Sequence, residues 1–182
     1  VYESIKVLQG EYVEDLCEVT FNLSGAMIYL GGKAKSINEG IEISKEMIAS
    51  GKAFDKFVEI TKLQNGDVSL LKNPDKYKKS KYSEKIYADK SGSLKAIDNY
   101  QIGMASLELG AGRLTKEDKI DPKAGIIFNS KIGNKINKGD VIAEIYTDNK
   151  SSIDKVKERI LSAVEFSKEK VKAPKLIKAV LR

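Results

Sequence analysis

A chain of 182 residues, 41% hydrophobic and 32% charged, is long enough to bury a core as one domain or two small ones, and no stretch approaches the roughly 20 consecutive apolar residues of a membrane-spanning helix. With no histidine and one cysteine, it has no intrachain disulfide, no ordinary zinc constellation and no imidazole base. The formal net charge of +6 comes from lysines that alternate with acids, so it describes a solvated surface; neither nucleic acid nor a membrane is expected as a partner.

The opening segment, Val1-Tyr2-Glu3-Ser4-Ile5-Lys6-Val7-Leu8, has the pattern of a helix already under way, with no signal-peptide features, and is expected to belong to the back portion of a longer protein. From residue 13 to 30, Val13, Leu16, Cys17, Thr20, Ser24, Met27 and Ile28 recur at three- and four-residue steps until Gly31-Gly32 stops them, which predicts a helix with one apolar face. Cys17, beside Leu16, is expected to be a buried structural thiol. The small Ser24 and Gly25 leave room for a neighbouring helix. Ser36-Ile37-Asn38-Glu39 is a capping box opening a helix whose face carries Ile37, Gly40, Ile41, Ser44, Met47 and Ile48 and which ends before Gly51. A shorter helix with Phe54, Phe57, Val58 and Thr61 ends near Gln64-Asn65-Gly66-Asp67.

Between Gly66 and Lys81 the sequence turns polar around Asn73-Pro74-Asp75 and the basic run from Lys76 to Lys81, and the domain boundary is placed there, with residues 1–72 on one side and 80–182 on the other. Tyr77 and Tyr82 interleave with that run, a combination able to hold phosphate and stack bases, but one short run inside a mixed-charge chain reads as a linker. Beyond it the period changes. Ser83 to Ala88 and Gly92 to Ile97 are predicted strands, and Asp98-Asn99-Tyr100-Gln101 caps a helix ending at Gly110. Gly125 to Phe128, Lys131 to Ile136 and Val141 to Tyr146 follow as short strands, the last two joined as a hairpin through Asn137 to Asp140. Ser151 or Ser152 caps a last helix with Ile153, Val156, Ile160 and Val164 on one face, and the lysine-rich tail is expected to pack as an extended strap. A faint echo between Gly92–Ile97 and Gly139–Ile145 suits a sandwich of two similar β halves.

Gly110-Ala111-Gly112-Arg113 has the glycines and the forked cation of a phosphate loop. It follows a helix, however, and lacks the Lys-Ser/Thr ending, so Gly110 is better explained as a left-handed residue closing that helix. The Lys138-Gly139-Asp140 turn is similar to one in biotinyl and lipoyl carrier domains, but the Met-Lys-Met or Asp-Lys-Ala tripeptide that carries the modified lysine is missing. Glu117, Asp118 and Asp121 are read as turn acids. No nucleophile stands beside a base.

Taken in order, Val1 to Ile5, Asp15 to Glu18 with Met27 to Leu30, Ser50 to Phe54, Gln64 to Asp67, the block Gly110 to Lys119 with Ile120-Asp121, Gly125 to Ile127, and Lys131 to Asp140 resemble the C-terminal portion of bacterial pyrimidine nucleoside phosphorylases. Asn65 stands where that family usually has Gly, and Asn134 where Asp is usual. The resemblance implies an α+β chain: an N-terminal helical segment that packs on a catalytic α/β domain outside this chain, then an α/β-hammerhead, barrel-sandwich-like C-terminal domain, all part of a larger α/β enzyme. It implies a cytoplasmic homodimer that, with its own N-terminal portion, converts a pyrimidine nucleoside and phosphate to the base and a pentose 1-phosphate. Phosphate is then a co-substrate, and the residues that bind it and the base lie upstream, so no catalytic or substrate-binding residue is assigned here. Glu3 aligns with a glutamate that helps hold a potassium ion. Two alternatives stand beside this: a non-catalytic lipoyl- or biotinyl-like binding module, and a related nucleotide phosphorylase or phosphoribosyltransferase.

Overall fold

The computed structural model describes residues 1–113 and 115–180, so Leu114 within the glycine block and the last two residues of the tail lie outside the described residues. The chain is α+β, with helices and two small antiparallel sheets. It divides into two units: Val1–Tyr77 together with the tail from Lys175, and Lys78–Pro174. The sequence reading carried the second domain to residue 182, whereas this division ends it at Pro174.

The first unit contains α1 (Tyr2–Leu8), α2 (Glu14–Leu30), α3 (Ile37–Ala49), α4 (Lys52–Leu63), the short α5 (Val68–Lys72) and a 3-10 turn at Pro74–Lys76. α3 starts as predicted, with Ser36 Oγ accepting from the Glu39 amide at 3.2 Å. The reciprocal bond of the box is displaced by one residue, because Glu39 Oε2 accepts from the Lys35 amide, 2.6 Å away. α2 and α3 cross where Gly25 meets Gly40: a Cβ on Gly40 would lie 2.3 Å from the Gly25 carbonyl oxygen, and one on Gly25 would lie 2.5 Å from Ile41 Cγ1. Only a glycine pair permits that approach. The predicted single face of α2 is in fact two, for Cys17 is 2% exposed while Met27 is 66% exposed. Three- and four-residue steps drift around a helix of 3.6 residues per turn, so a long list of them mixes sides. α5, which periodicity alone does not reveal, is opened by the Asp67 carboxylate accepting from the Ser69 amide at 2.9 Å. The buried core of this unit is small: Ile5, Val58 and Leu71, with Phe54, Phe57 and Val68 packed against them.

The second unit contains β1 (Tyr82–Tyr87), β2 (Gly92–Ile97), α6 (Asn99–Ser106) running into a π-type turn at Leu107–Ala111, β3 (Gly125–Phe128), β4 (Lys135–Ile136), β5 (Val141–Thr147), α7 (Ile153–Ser162) and β6 (Val164–Ser167). One sheet has the order β1-β5-β3 and the other β4-β2-β6. The two echoing segments thus supply the central strand of each sheet. Two expectations are corrected. β4 and β5 are not a hairpin: β4 pairs with β2 and β5 with β1 and β3, so the Asn137–Asp140 turn, with Gly139 at φ 93, carries the chain from one sheet to the other. The strand expected from Lys131 begins only at Lys135, because Lys131 to Asn134 form their own turn, in which the Asn134 side chain accepts from the Lys131 amide at 2.7 Å. In addition, the last helix stops at Ser162 and Val164 opens β6, paired with β2. Both sheets, α6 and α7 share one core, including Ile86, Leu94, Ile136, Ile142, Ile145, Val156 and Ile160.

Candidate functional site

The glycine block lies where α6 ends. Gly110 adopts φ 101, a left-handed conformation that turns the chain out of the helix. Its carbonyl accepts from the Asp121 amide at 2.8 Å, closing the intervening loop on itself. The carbonyl before it, of Leu109, accepts from the buried Thr147 hydroxyl at 2.7 Å, which ties the helix end to the end of β5. Gly112 is extended, and a Cβ there would meet Leu107 Cδ2 at 2.1 Å. Both glycines therefore have packing or backbone reasons. The helix end they sit on is the carbonyl end, which carries partial negative charge and disfavours a phosphate. Arg113 is exposed, and no ion pair or hydrogen bond engages it among the described residues.

The acids of this loop are turn-makers. Asp118 accepts from the Thr115 amide at 2.9 Å and from its hydroxyl at 3.0 Å; Asp121 accepts from the Lys123 amide at 3.0 Å. Lys123 also bonds Asp148, whose carboxyl it holds below the usual range, with help from the Lys81 amide.

Glu108, two residues before Gly110, is a centre that sequence reading passed over. Its carboxylate takes both prongs of Arg159, at 3.1 Å and 3.0 Å, and Lys155 Nζ at 2.8 Å. The hydrogen bonds from Lys155 and Arg159 hold its pKa below the ordinary carboxylate value, against the opposing effect of burial. Arg159 reaches Gln101 as well. The group fastens α6 to α7. Its only sequence signal was Lys155 and Arg159 standing four apart on one helix.

Glu3 stands in the other unit, exposed in the first turn of α1, with no ion pair or hydrogen bond to its side chain among the described residues. An open carboxylate suits a hard cation as one oxygen ligand. The described residues contain no group of three or more His, Cys, Asp or Glu able to hold a metal ion, so Glu3 is at most one member of such a shell. No helix among the described residues is long and apolar enough to cross a membrane.

Residues 93–167 match the family described as Pyrimidine nucleoside phosphorylase C-terminal domain, and the match takes in the Gly110 block, Glu108, Thr147 and Arg159. The chain is homologous to the C-terminal part of the pyrimidine-nucleoside phosphorylases. It is 36% identical over 181 residues to the pyrimidine-nucleoside phosphorylase of Bacillus subtilis (strain 168), covering all of this chain and 41% of that protein. Against the Staphylococcus aureus (strain USA300) pyrimidine-nucleoside phosphorylase the identity is 35% over 179 residues, 98% of this chain and 41% of the relative. The homology therefore extends beyond the family's C-terminal domain into the helical unit, while the chain spans about two fifths of the length of these relatives.

Proposed function

We propose that this chain is the C-terminal part of a pyrimidine-nucleoside phosphorylase. The observation that carries the reading is an alignment running the whole length of the chain at 36% identity. In the reaction, phosphate oxygen bonds to the anomeric carbon of a pyrimidine nucleoside as the glycosidic C–N bond breaks. The base leaves with the bonding pair and takes up a proton, and the sugar leaves as a pentose 1-phosphate. Positive charge builds on the sugar and negative charge on the base, so catalysis rests on donors and cations aimed at the base and on a phosphate cradle. Those residues belong to the N-terminal portion. This chain contributes scaffold and closure: residues 1–72 pack on the catalytic domain, and the second unit serves as the α/β-hammerhead that borders the cleft and moves with it.

The assembly in this reading is a cytoplasmic homodimer. Glu3 gives one carboxylate oxygen to a potassium ion, whose other ligands are backbone carbonyls of the N-terminal portion. The paired central strands β2 and β5 also suit a lipoyl- or biotinyl-like sandwich, but Lys138 has neither carrier tripeptide around it. A nucleotide phosphorylase or phosphoribosyltransferase of similar fold differs upstream.

The test is phosphate-dependent cleavage of uridine and thymidine, run on residues 1–182 alone and on the protein with its N-terminal portion. Activity is expected only in the second, with Glu3→Gln raising the potassium concentration it requires. Cleavage by residues 1–182 alone would overturn the division of labour, and no cleavage by either would overturn the reaction.

A further inference from the structure

α2 is apolar on two sides. At 3.6 residues per turn, Cys17, Phe21, Ser24, Gly25 and Ile28 share the side that meets α3, where Gly25 touches the α3 backbone. Leu16, Leu23, Met27 and Leu30, separated by seven, four and three residues, share a second side. There Leu23 is 59% exposed, Met27 66% and Leu30 81%. A helix with two apolar sides requires two partners, and α3 is one. A continuous apolar stripe facing solvent marks an interaction surface.

We propose that this stripe seats the N-terminal portion that the relatives carry, as an interface within one protein and not between copies. The proposal rests on the functional reading above. The occupant follows from length and chemistry: the chain aligns with the C-terminal 41% of its relatives, leaving most of a protein upstream to cover α2. The stripe carries no charge, while Glu14, Glu18 and Asn22 occupy the remaining side of the helix. The covering surface is therefore apolar.

Methionine footprinting with dilute hydrogen peroxide on the intact protein, as its gene encodes it, tests this without a variant that could fail to fold. Met27 is the most exposed of the three methionines, Met47 and Met104 being partly buried, so an uncovered stripe makes Met27 the first to become sulfoxide. The expected result is that Met27 loses that first place and reacts more slowly than Met47 and Met104, and does so unchanged when the protein is diluted until it sediments as a monomer. Met27 reacting first would overturn the proposal. Protection that disappears on dilution would also overturn it, by assigning the stripe to a second copy. A concentration-independent protection of Met27 in a protein that lacks phosphorolytic activity would support the interface and remove only the reaction.

Discussion

The two units handle apolar residues in opposite ways. In Lys78–Pro174, two sheets and two helices bury their large aliphatic side chains in one continuous core, and Ile86, Leu94, Ile145, Val156 and Ile160 are wholly inaccessible. In the helical unit the core is three residues with a few neighbours, while Leu23, Met27, Leu30 and Leu63 are each more than half exposed. A unit that buries its own apolar surface stabilises itself. A unit that leaves such residues in water is shaped for something else to cover it.

Truncation in the β core breaks or sharpens this contrast most strongly. Ile145→Ala empties a fully buried site on the central strand β5 and is expected to cost about 2–5 kcal/mol, read as a lower denaturant midpoint. A greater loss from Val58→Ala, in the small helical core, would reverse the comparison. Next comes Gly40→Ala. It gains about 1 kcal/mol of helix propensity, but its Cβ lands 2.3 Å from a backbone oxygen that cannot swing away, and overpacking of that kind costs roughly 1–3 kcal/mol. The net effect is destabilisation of the α2–α3 pair, visible as faster amide exchange in α3; unchanged exchange would show that the helices are not held at that distance.

The smallest effect is electrostatic. Glu108→Gln keeps the shape and removes the charge that Arg159 and Lys155 address, for about 1–2 kcal/mol near neutral pH, given that both cations are partly hydrated. Because the folded-state pKa of Glu108 is lowered, its contribution is complete above the unfolded value of about 4.3 and is lost as the pH falls through the folded one. The stability difference between wild type and variant is therefore expected to vanish in strong acid; a difference that persists there would place the effect in packing.

Where structure is decided locally, the sequence was a good guide. Ser36 and Asp98 each accept from the amide three residues on, and the helices they open begin where their side chains dictate. The small residues of α2 announced the close crossing. Long-range decisions were less legible. Val164 to Ser167 continues the spacing of α7, and nothing nearby reveals that β2, some seventy residues earlier, is waiting to pair with it. Asn137 to Asp140 has the composition of a hairpin turn, yet the flanking strands take partners elsewhere. The functional site was legible as resemblance only, since the one assigned residue, Glu3, has no neighbouring ligands in this chain. Glu108 escaped notice because its partners lie on a different helix, about fifty residues away.

The strand order also sets a timetable. β1 finds its sheet partner only in β5, with Tyr82 opposite Thr147, and β2 finds its longer partner only in β6. As the chain leaves the ribosome, its first two strands emerge as unpaired edges and remain so until the residues near 147 and 167 have followed. Pairings this distant form slowly and expose strand edges to other chains in the meantime. A nascent chain halted anywhere before β5 would have neither sheet, so this half of the molecule folds at the end of synthesis or not at all.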